Sequence, residues 1–375
     1  MQVVFLILAI LLFPFKLLAD ALEESFSVNY DYYSDNVDVQ VYSPAFDFKK
    51  RLSEYWGMGV SLRLDAISAA SIRNGSGKYE DSVVIDAVSG ASDRLGFDDF
   101  RVAPTVSFIY QDGDFVGSFG GYYSNEIDYN VYSSFFSASY GFNDANTIVS
   151  AGGVLSYEVW TPSTNRALNP DDKFLYSFSL SLTQLINPKS FIQLRAEYID
   201  QSGMLSSPYH YLLTDGVAQY DRYPDKRRSF PVALQYVQQI GEITALNLDY
   251  RFYADTWEMT SHTGEVKLMV DLSDSVTVGI RERLYGQSSV GFIKPLDKVS
   301  SDDRYIVSNY KYSALFSSTT GASILYRPTF FEDENVVINL SANYYTTDEN
   351  PYILAWYGTT KIQAFYTSFG FTYEY

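Results

Sequence analysis

The most constraining feature of this chain is its last segment, Gln363–Tyr375, which reads QAFYTSFGFTYEY. Five of its six aromatic residues share one parity, which only Thr367 interrupts: Phe365, Phe369, Phe371, Tyr373 and Tyr375. The other parity carries mostly small, polar or hydroxylated side chains. Because successive side chains of a strand point to opposite faces, the segment predicts a strand with one aromatic face. Lipid or a partner has to cover that face, as in a membrane β-barrel, although a soluble sandwich could also end this way.

The composition favours the membrane interpretation and excludes two other classes of protein. Aromatic residues make up 17% of the 375 residues, charged residues 19%, and the mean hydropathy is −0.11. A helical membrane protein would need several apolar spans of about 20 residues, and none follows the N-terminal segment. A disordered chain would be poor in aromatic residues. An aromatic-rich chain of neutral hydropathy, cut into short alternating segments, is typical of membrane barrels.

The counts of Cys, His and charged residues limit the chemistry. The chain has no cysteine, which excludes disulfides, a thiol nucleophile and a Cys–zinc site. Two histidines are too few to favour a histidine metal site, and we expect neither a metal nor a cofactor. The formal net charge of −18 disfavours nucleic acid as a partner, since phosphate binding needs a basic surface.

Residues 1–21 (MQVVFLILAILLFPFKLLADA) predict a signal peptide for export. The apolar run from Val3 to Leu12 is too short to span a bilayer. The segment closes on Ala19-Asp20-Ala21, an A-x-A cleavage pattern, although its only basic residue, Lys16, lies late. We expect residues 22–375 to form one barrel domain.

From Glu24 onward, alternating segments of roughly 9 to 14 residues are separated by turn signals, which gives about 16 strands. With both termini on one side, the short connections fall at one end: 112–114, 143–146, 187–189, 241–242, 273–275 and 332–334. The long segments fall at the other end. We therefore predict an all-β fold, a transmembrane antiparallel up-and-down β-barrel with short periplasmic turns and long extracellular loops.

Parity also separates the two faces of each strand. Leu248 and Tyr250, for example, share one face, while Asp249 and Arg251 share the other. Because Arg or Lys at the lipid-facing midplane costs about 2–4 kcal/mol, the charged parity has to face the lumen. The predicted pore lining carries both signs: Arg63, Asp65, Arg195, Glu197, Asp249, Arg251, Asp255, Arg281 and Arg283. Glu282 breaks the alternation, and we expect it near the membrane interface or beside a bulge.

The sharpest motif is an internal repeat. Asp65–Ser71 (DAISAAS) recurs 21 residues later as Asp86–Ser92 (DAVSGAS). Its oxygen-bearing side chains are Asp65, Ser68, Ser71, Asp86, Ser89 and Ser92. Such residues either bind backbone amides, so that the two copies pair structurally, or hold a hard cation such as Ca²⁺. In both cases the small-residue loop with the second copy can fold back into the barrel mouth.

The most basic short run is Asp221–Arg228 (DRYPDKRR). One interpretation is a loop that returns to a strand, with Pro224 fixing the turn. The other is contact with lipopolysaccharide phosphates, which clustered Lys and Arg at the outer rim are suited to bind.

The rarest side chains, Trp and His, give weak functional signals. The tryptophans lie at or near strand ends or in loops, and we expect them in the aromatic girdles: Trp56, Trp160, Trp257 and Trp356. A Ser–His hydrolase would need an orienting acid or amide beside His210 or His262. Serines are so abundant here that nearby serines carry almost no information, and we expect no catalytic residues.

The repeat also resembles a known family. DAISAAS and DAVSGAS resemble the double "DAISGAS"-type motif of the outer-membrane proteins catalogued as domain of unknown function 3570. The resemblance continues in four further segments: Ser202–Tyr209 (SGMLSSPY), Asp221–Asp225 (DRYPD), Asp249–Trp257 (DYRFYADTW) and Ser261–Thr263 (SHT). It implies a barrel in the outer membrane of Gram-negative bacteria, and it implies no reaction or ligand.

Three functions remain open at this point. The first is a porin-like channel for small solutes or ions, suggested by the strand count and the charged inner parity. The second is a plugged barrel that serves as a scaffold or docking partner for a periplasmic or surface component, and the third is a surface lipid hydrolase. We expect outer-membrane lipids, lipopolysaccharide and the barrel-assembly machinery as partners, with a homo-oligomer as an open alternative.

Overall fold

The computed structural model describes residues 21–69, 97–161, 171–206, 210–214, 217–328 and 335–375. The predicted signal peptide lies almost entirely outside these residues and stays a prediction. The strands, in chain order, are β1 (Ser25–Asp35), β2 (Val39–Arg51), β3 (Trp56–Ala69), β4 (Phe97–Asp112), β5 (Phe115–Asn125), β6 (Tyr129–Phe142), β7 (Thr147–Trp160), β8 (Asp171–Asn187), β9 (Ser190–Gly203), β10 (Tyr211–Thr214), β11 (Val217–Tyr220), β12 (Lys226–Ser229), β13 (Val232–Ile240), β14 (Thr244–Ala254), β15 (Thr260–Ser273), β16 (Val276–Gln287), β17 (Leu315–Tyr326), β18 (Val336–Thr347) and β19 (Gln363–Glu374).

The helical elements are short. They are helix α1 (Pro351–Tyr357) and the 3₁₀ turns Leu296–Lys298 and Tyr310–Tyr312. In the described part of the chain, no helix combines the length and the apolar character needed to cross a bilayer.

The main sheet closes on itself as a 16-stranded antiparallel barrel. Strand β1 pairs with both β2 and β19, which joins the first and last strands. The sheet contains 17 segments, but β12 and β13 both pair with β9 and form two halves of one barrel strand. Pro231 lies at the break between them, where its lack of an N–H removes a ladder hydrogen bond. The predicted count of about 16 strands is therefore confirmed.

The two faces follow the parity expected from the sequence. On β9, Leu194 and Tyr198 are exposed on the outer face, whereas Gln193 and Glu197 are buried on the inner face. Large apolar side chains occupy the outer parity of most other strands, as a lipid-facing band requires.

The connections differ in length between the two ends of the barrel. Tight turns lie at the end with the chain termini, and Gly113 (φ 55°) and Gly241 (φ 67°) supply the left-handed backbone that two of these turns need. The other end carries the connections 204–225, 288–314 and 348–362, along with the short connections 36–38 and 126–128. This asymmetry matches short periplasmic turns and long extracellular loops.

Four connections, 204–225, 255–259, 288–314 and 348–362, pack together at the extracellular end, and we call them the outer cap. One hydrophobic core joins three of them through buried side chains: Tyr223, Trp257, Met259, Val290 and Val307. The fourth joins by hydrogen bonds from Trp356 Nε1 to the Ser308 carbonyl (3.0 Å) and from the Tyr352 hydroxyl to the Lys294 carbonyl (2.7 Å).

Helix α1 holds the fourth connection in place. Asn350 caps its start, since its side chain accepts a hydrogen bond from the Tyr352 amide at 2.9 Å. Gly358 ends the helix in a left-handed conformation (φ 69°). Ile353 is fully buried against Leu315 and Ile362, so the helix packs on the inward-facing end of β17.

Candidate functional site

The inner wall carries its densest charge on β14, β15 and β16. Asp249 lies opposite Glu265, and Glu265 lies opposite Arg283. One step toward the periplasmic end, Lys267 lies opposite Arg281. These strands therefore bring both signs into adjacent rows on one arc of the lumen.

The structure divides the predicted lining between two arcs. One arc, on β9, β14 and β16, contains six of the predicted residues: Arg195, Glu197, Asp249, Arg251, Arg281 and Arg283. Arg63 and Asp65 lie on β3, on a separate part of the wall. Glu265 and Lys267 add to the first arc, and their parity in the sequence marks them as inward.

Arg281 lies flat along the inner wall rather than pointing across it. Its Nη2 donates a hydrogen bond to the Tyr366 hydroxyl at 2.6 Å, and its Nη1 lies 4.0 Å from Glu265 Oε2. A Cβ at Gly321, on the neighbouring strand β17, would lie 3.2 Å from Arg281 Cγ and would clash with the Asn343 amide oxygen. The missing side chain at Gly321 therefore makes room for the arginine.

A different arc of the wall is rich in hydroxyl groups. Serines pair across neighbouring strands from β5 to β7: Ser118 with Ser137 (2.7 Å), Ser133 with Ser156 (2.8 Å) and Ser139 with Ser150 (2.8 Å). These residues were not singled out from the sequence. The sequence pattern that could have identified them is the recurrence of serine at inward-facing positions of consecutive strand segments.

Ion pairs neutralise charges near the outer end of the wall. Asp65, which is 5% exposed, binds Arg101 on the neighbouring strand. Glu158 binds Lys173 Nζ at 2.6 Å and also accepts a hydrogen bond from the Tyr129 hydroxyl. The sequence interpretation missed Arg101, Lys173 and Glu158, although their inward parity could have identified them.

The Asp/Ser repeat is described only at its beginning. Asp65 is placed, whereas the side chain of Ser68 and the residues Ser71, Asp86, Ser89 and Ser92 lie outside the described residues. The proposed pairing of the two copies and the fold-back of their loop lie there too. Within the described ranges, no group of three His, Asp or Glu side chains is placed to hold a metal ion.

Arg227 and Asp255 form the polar centre of the outer cap. Arg227 Nε donates to Asp255 Oδ2 at 2.8 Å, and its guanidinium lies 4.5 Å from the Trp257 ring and 5.6 Å from the Tyr312 ring. The side chain of Asp255 has no exposed surface. Asp255 was predicted to line the pore, but in this position it holds the cap together instead of facing water.

The basic run does not form one cluster for phosphates. Arg227 turns inward to Asp255, while Arg228 binds Asp200 at the outer rim at 2.9 Å. Arg222 donates to the carbonyls of Ser301 and Asp303 within the cap. Alternation along β12 separates Arg227 from Arg228, so the lipopolysaccharide interpretation of the run loses its geometric basis.

The tryptophan prediction holds for one residue of the four. Trp56 is 40% exposed near the periplasmic end, beside Tyr110, as a girdle requires. The girdle prediction is wrong for Trp160, Trp257 and Trp356, which are buried. The last two supply apolar area to the outer cap.

The histidines lie in unrelated surroundings. His262, at the outer face of β15, has Nδ1 2.7 Å from the Tyr250 hydroxyl. His210 is buried in the outer cap, with its ring 4.6 Å from that of Trp356.

A buried carboxyl lies beside His210. Asp221 accepts a hydrogen bond from the Ser308 amide at 2.7 Å and another from the Tyr223 hydroxyl. Burial raises the pKa of Asp221, and the nearby His210 and these hydrogen bonds only partly offset that effect.

The fold is that of outer-membrane barrels. The solved structure described as a bacterial polysaccharide outer membrane secretin has a TM-score of 0.54 and 8% identity, with 95% of this chain and 99% of that chain covered. The outer membrane protein OpdK from Pseudomonas aeruginosa has a TM-score of 0.44 and 8% identity, over 94% and 99%. The siderophore receptor PirA from Pseudomonas aeruginosa has a TM-score of 0.43 and 12% identity, and the match covers 88% of this chain and 56% of that receptor.

These likenesses concern the fold alone. No curated protein matches the chain. A family model matches residues 14–373, nearly the whole sequence, and the chain therefore belongs to the family described as protein of unknown function (DUF3570).

Proposed function

We propose that this protein is an outer-membrane channel for small ions or solutes. The observation that carries the proposal is the contrast between the two faces of the barrel. The outer face is apolar, whereas the inner face of β14–β16 presents charged rows and that of β5–β7 presents paired hydroxyl groups. A wall of this kind stabilises water and ions in a lumen, since both need polar partners away from bulk solvent.

The charged arc also sets the direction of selectivity. Among its residues, the basic Arg195, Arg251, Lys267, Arg281 and Arg283 outnumber the acidic Glu197, Asp249, Glu265 and Asp271. A local excess of positive charge attracts anions and repels cations at close range. We therefore propose a preference for small anions.

The outer cap controls entry to this lumen. It packs on inward-facing side chains, with Ile353 against Leu315 and Tyr312 against Arg227. Loops that contact inward-facing residues narrow the mouth from one side, and a narrow mouth limits the size of the solute.

The second candidate is a plugged barrel that docks another component, and the buried cap core favours it. Loops joined by a core such as Tyr223, Trp257 and Val290 form a fixed surface rather than loose connections. A fixed surface at the mouth is suited to a partner that displaces it.

Single-channel recording on refolded residues 22–375 in planar bilayers distinguishes the two candidates. The informative variant replaces residues 294–304 by a short Gly-Ser linker, which removes the contacts of this loop with Tyr352 and Arg222. The matched control is Lys298→Ala, an exposed change in the same loop.

For a channel, we expect discrete conductance steps in the intact protein and larger steps in the linker variant. Silence in the intact protein with steps in the linker variant supports the plugged barrel. Silence in both, from protein shown to be folded, rejects the channel.

A further inference from the structure

Strand β16 places two arginines side by side on the inner wall. Arg281 and Arg283 are two residues apart and share the inward parity, so their Cα atoms lie about 7 Å apart. Lys267 lies directly opposite Arg281 on β15. Three positive charges therefore lie within two adjacent rows of the barrel wall.

Glu282, which separates the two arginines in the sequence, does not neutralise them, because alternation turns it to the outer face. There the Thr320 hydroxyl donates a hydrogen bond to Glu282 Oε2 at 2.5 Å. Glu282 is the seventh of the 12 residues of β16, and the register shift with β15 lies far away, between Asp271 and Ser273. The expectation that Glu282 lies near the membrane interface or beside a bulge is therefore wrong.

One carboxylate lies close to the three bases. Glu265 is opposite Arg283 in the ladder, but its Oε2 lies 4.0 Å from Nη1 of Arg281. Within the described part of the chain, Arg283 forms no ion pair and no side-chain hydrogen bond. Three positive charges and the one negative charge of Glu265 leave a net charge of +2 at this place.

The next strands around the barrel present neutral hydrogen-bonding groups. Neither β17 nor β18 contains a charged residue. Thr319 lies opposite Arg283, and Tyr345 lies opposite Thr319. On β19, the Tyr366 hydroxyl accepts from Arg281 and keeps its own hydrogen to donate. An anion beside Arg283 therefore finds hydroxyl groups on this side and no carboxylate from β17 or β18.

We propose that Arg281 and Arg283, with Lys267 beside them, form a binding site for small doubly charged oxyanions such as sulfate. Planar guanidinium groups donate two parallel hydrogen bonds to the oxygens of such an anion, a geometry that a spherical halide cannot match. The net charge of +2 equals the charge of the anion. The side chain of Arg281 is 28% exposed and Arg283 is half-buried, so a solute in the lumen can reach them.

The role of this site rests on the proposed channel, because the site names the class of anion that enters the lumen. The binding itself does not require conduction. A test that measures binding without current therefore separates the two proposals.

Isothermal titration calorimetry of sulfate into refolded residues 22–375 in detergent measures the binding. The test variant is Arg283→Gln. The matched control is Arg63→Gln, which removes the same charge from the inner face of β3, where Ala45 and Ala103 lie opposite the arginine. Titration with chloride at equal ionic strength gives the background heat.

The intact protein is expected to bind sulfate saturably, and Arg63→Gln should bind it with the same affinity. Arg283→Gln should bind about tenfold more weakly, because hydrogen bonds between two charged groups are lost. Arg283→Lys keeps the charge but loses the planar fork, so its affinity should fall between these values. Heat-modifiable mobility in SDS gels shows whether each variant is folded.

Two results overturn the proposal. One is the absence of saturable sulfate binding in the folded intact protein. The other is equal weakening by Arg283→Gln and Arg63→Gln, because it would reflect the overall charge of the lumen rather than a site.

Bilayer recording judges the channel separately. Protein that binds sulfate but carries no current retains the site and rejects the channel. Protein that carries current but binds no sulfate retains the channel and rejects the site.

Discussion

Arg281 donates a hydrogen bond to the Tyr366 hydroxyl at 2.6 Å, even though β17 and β18 lie between their strands. The long side chain crosses the wall beside Gly321, where a Cβ would clash with the Asn343 amide oxygen and lie 3.2 Å from Arg281 Cγ. A positive charge is thereby held at one point of the inner surface, close to Lys267 and Arg283. Because its position is fixed, Arg281 is the most informative residue to replace when testing whether ions pass through the lumen.

Replacing Arg281 by Gln is expected to reduce anion selectivity. The change removes one of the five basic residues of the charged arc while keeping a polar side chain of similar length. The reversal potential under a KCl gradient in planar bilayers measures the shift, which should move toward cation permeation.

Two further variants complete this test. Lys189→Gln, in an exposed periplasmic turn, should leave the reversal potential nearly unchanged. Gly321→Ala should shift it in the same direction as Arg281→Gln but less, because the added Cβ presses on the Asn343 amide and on the arginine stem while the positive charge stays. An unchanged potential in Arg281→Gln would remove this residue from the ion path.

Asp255→Asn is expected to destabilise the protein far more than Asp200→Asn. Asp255 is fully buried with Arg227, and removing one partner of a buried pair leaves an uncompensated charge, which costs about 3–5 kcal/mol. Arg228 is 55% exposed in its pair with Asp200, so that loss should be much smaller, because exposed ion pairs contribute little to stability. The free energy of unfolding in urea, followed by tryptophan fluorescence, gives both values. Equal losses would mean that the Arg227 pair is as solvated as the surface pair.

The outer cap is expected to loosen as the pH rises, because of Asp221. Burial raises its pKa above the unfolded value, so the folded state favours the protonated carboxyl. The stabilisation is fully present below the unfolded pKa of about 3.9 and is lost as the pH rises through the folded pKa.

Asp221→Asn tests this sign, since the amide oxygen can still accept from the Ser308 amide. We expect the variant to remove most of the pH dependence of cap stability. The measurement is hydrogen exchange of residues 305–309 between pH 4 and pH 7. Parallel pH profiles for the wild type and the variant would assign the effect to another group.

Asn350→Ala is expected to release helix α1 from the cap. The Asn350 side chain accepts from the Tyr352 amide at 2.9 Å and donates to Ser313 Oγ at 2.7 Å and to the Ala314 carbonyl at 3.1 Å. Loss of an N-cap costs about 1 kcal/mol, and the lost donor contacts add to it.

Limited proteolysis within residues 351–357 measures the release. The control is Glu349→Ala, a change at the exposed residue that precedes Asn350. This variant should be cleaved at the same rate as the wild type. Equal cleavage of all three proteins would mean that the buried Ile353 holds the helix without its cap.

The alternation of side chains is a local property, and for that reason the sequence predicted the barrel well. Neighbouring residues such as Leu248 and Asp249 reach opposite environments in any strand, so parity alone separates lipid from lumen. The strand count and the charged arc on β14–β16 follow from the same rule. The break at Pro231 was readable as well, since proline cannot donate to the ladder, but the flanking apolar pattern concealed it.

The outer cap could not be read in this way, because it depends on contacts between residues distant in the chain. Arg227 lies on β12, Asp255 and Trp257 lie in one connection, and Tyr312 lies in another. The side-chain pattern of one segment gives no information about its contacts with another. A tryptophan near a strand end has the same local pattern whether it meets lipid headgroups, like Trp56, or a buried core, like Trp257.

The sequence by itself determined the class of fold, the family and the face to which each strand residue belongs, because these depend on alternation and local motifs. Only the tertiary structure decided which charges are free and which are paired, as with Arg101 on Asp65 and Arg227 on Asp255. It also placed Glu282 at mid-height on the outer face. Register and loop packing set these relationships, and both arise from free energies summed over the whole closed sheet rather than from any one segment.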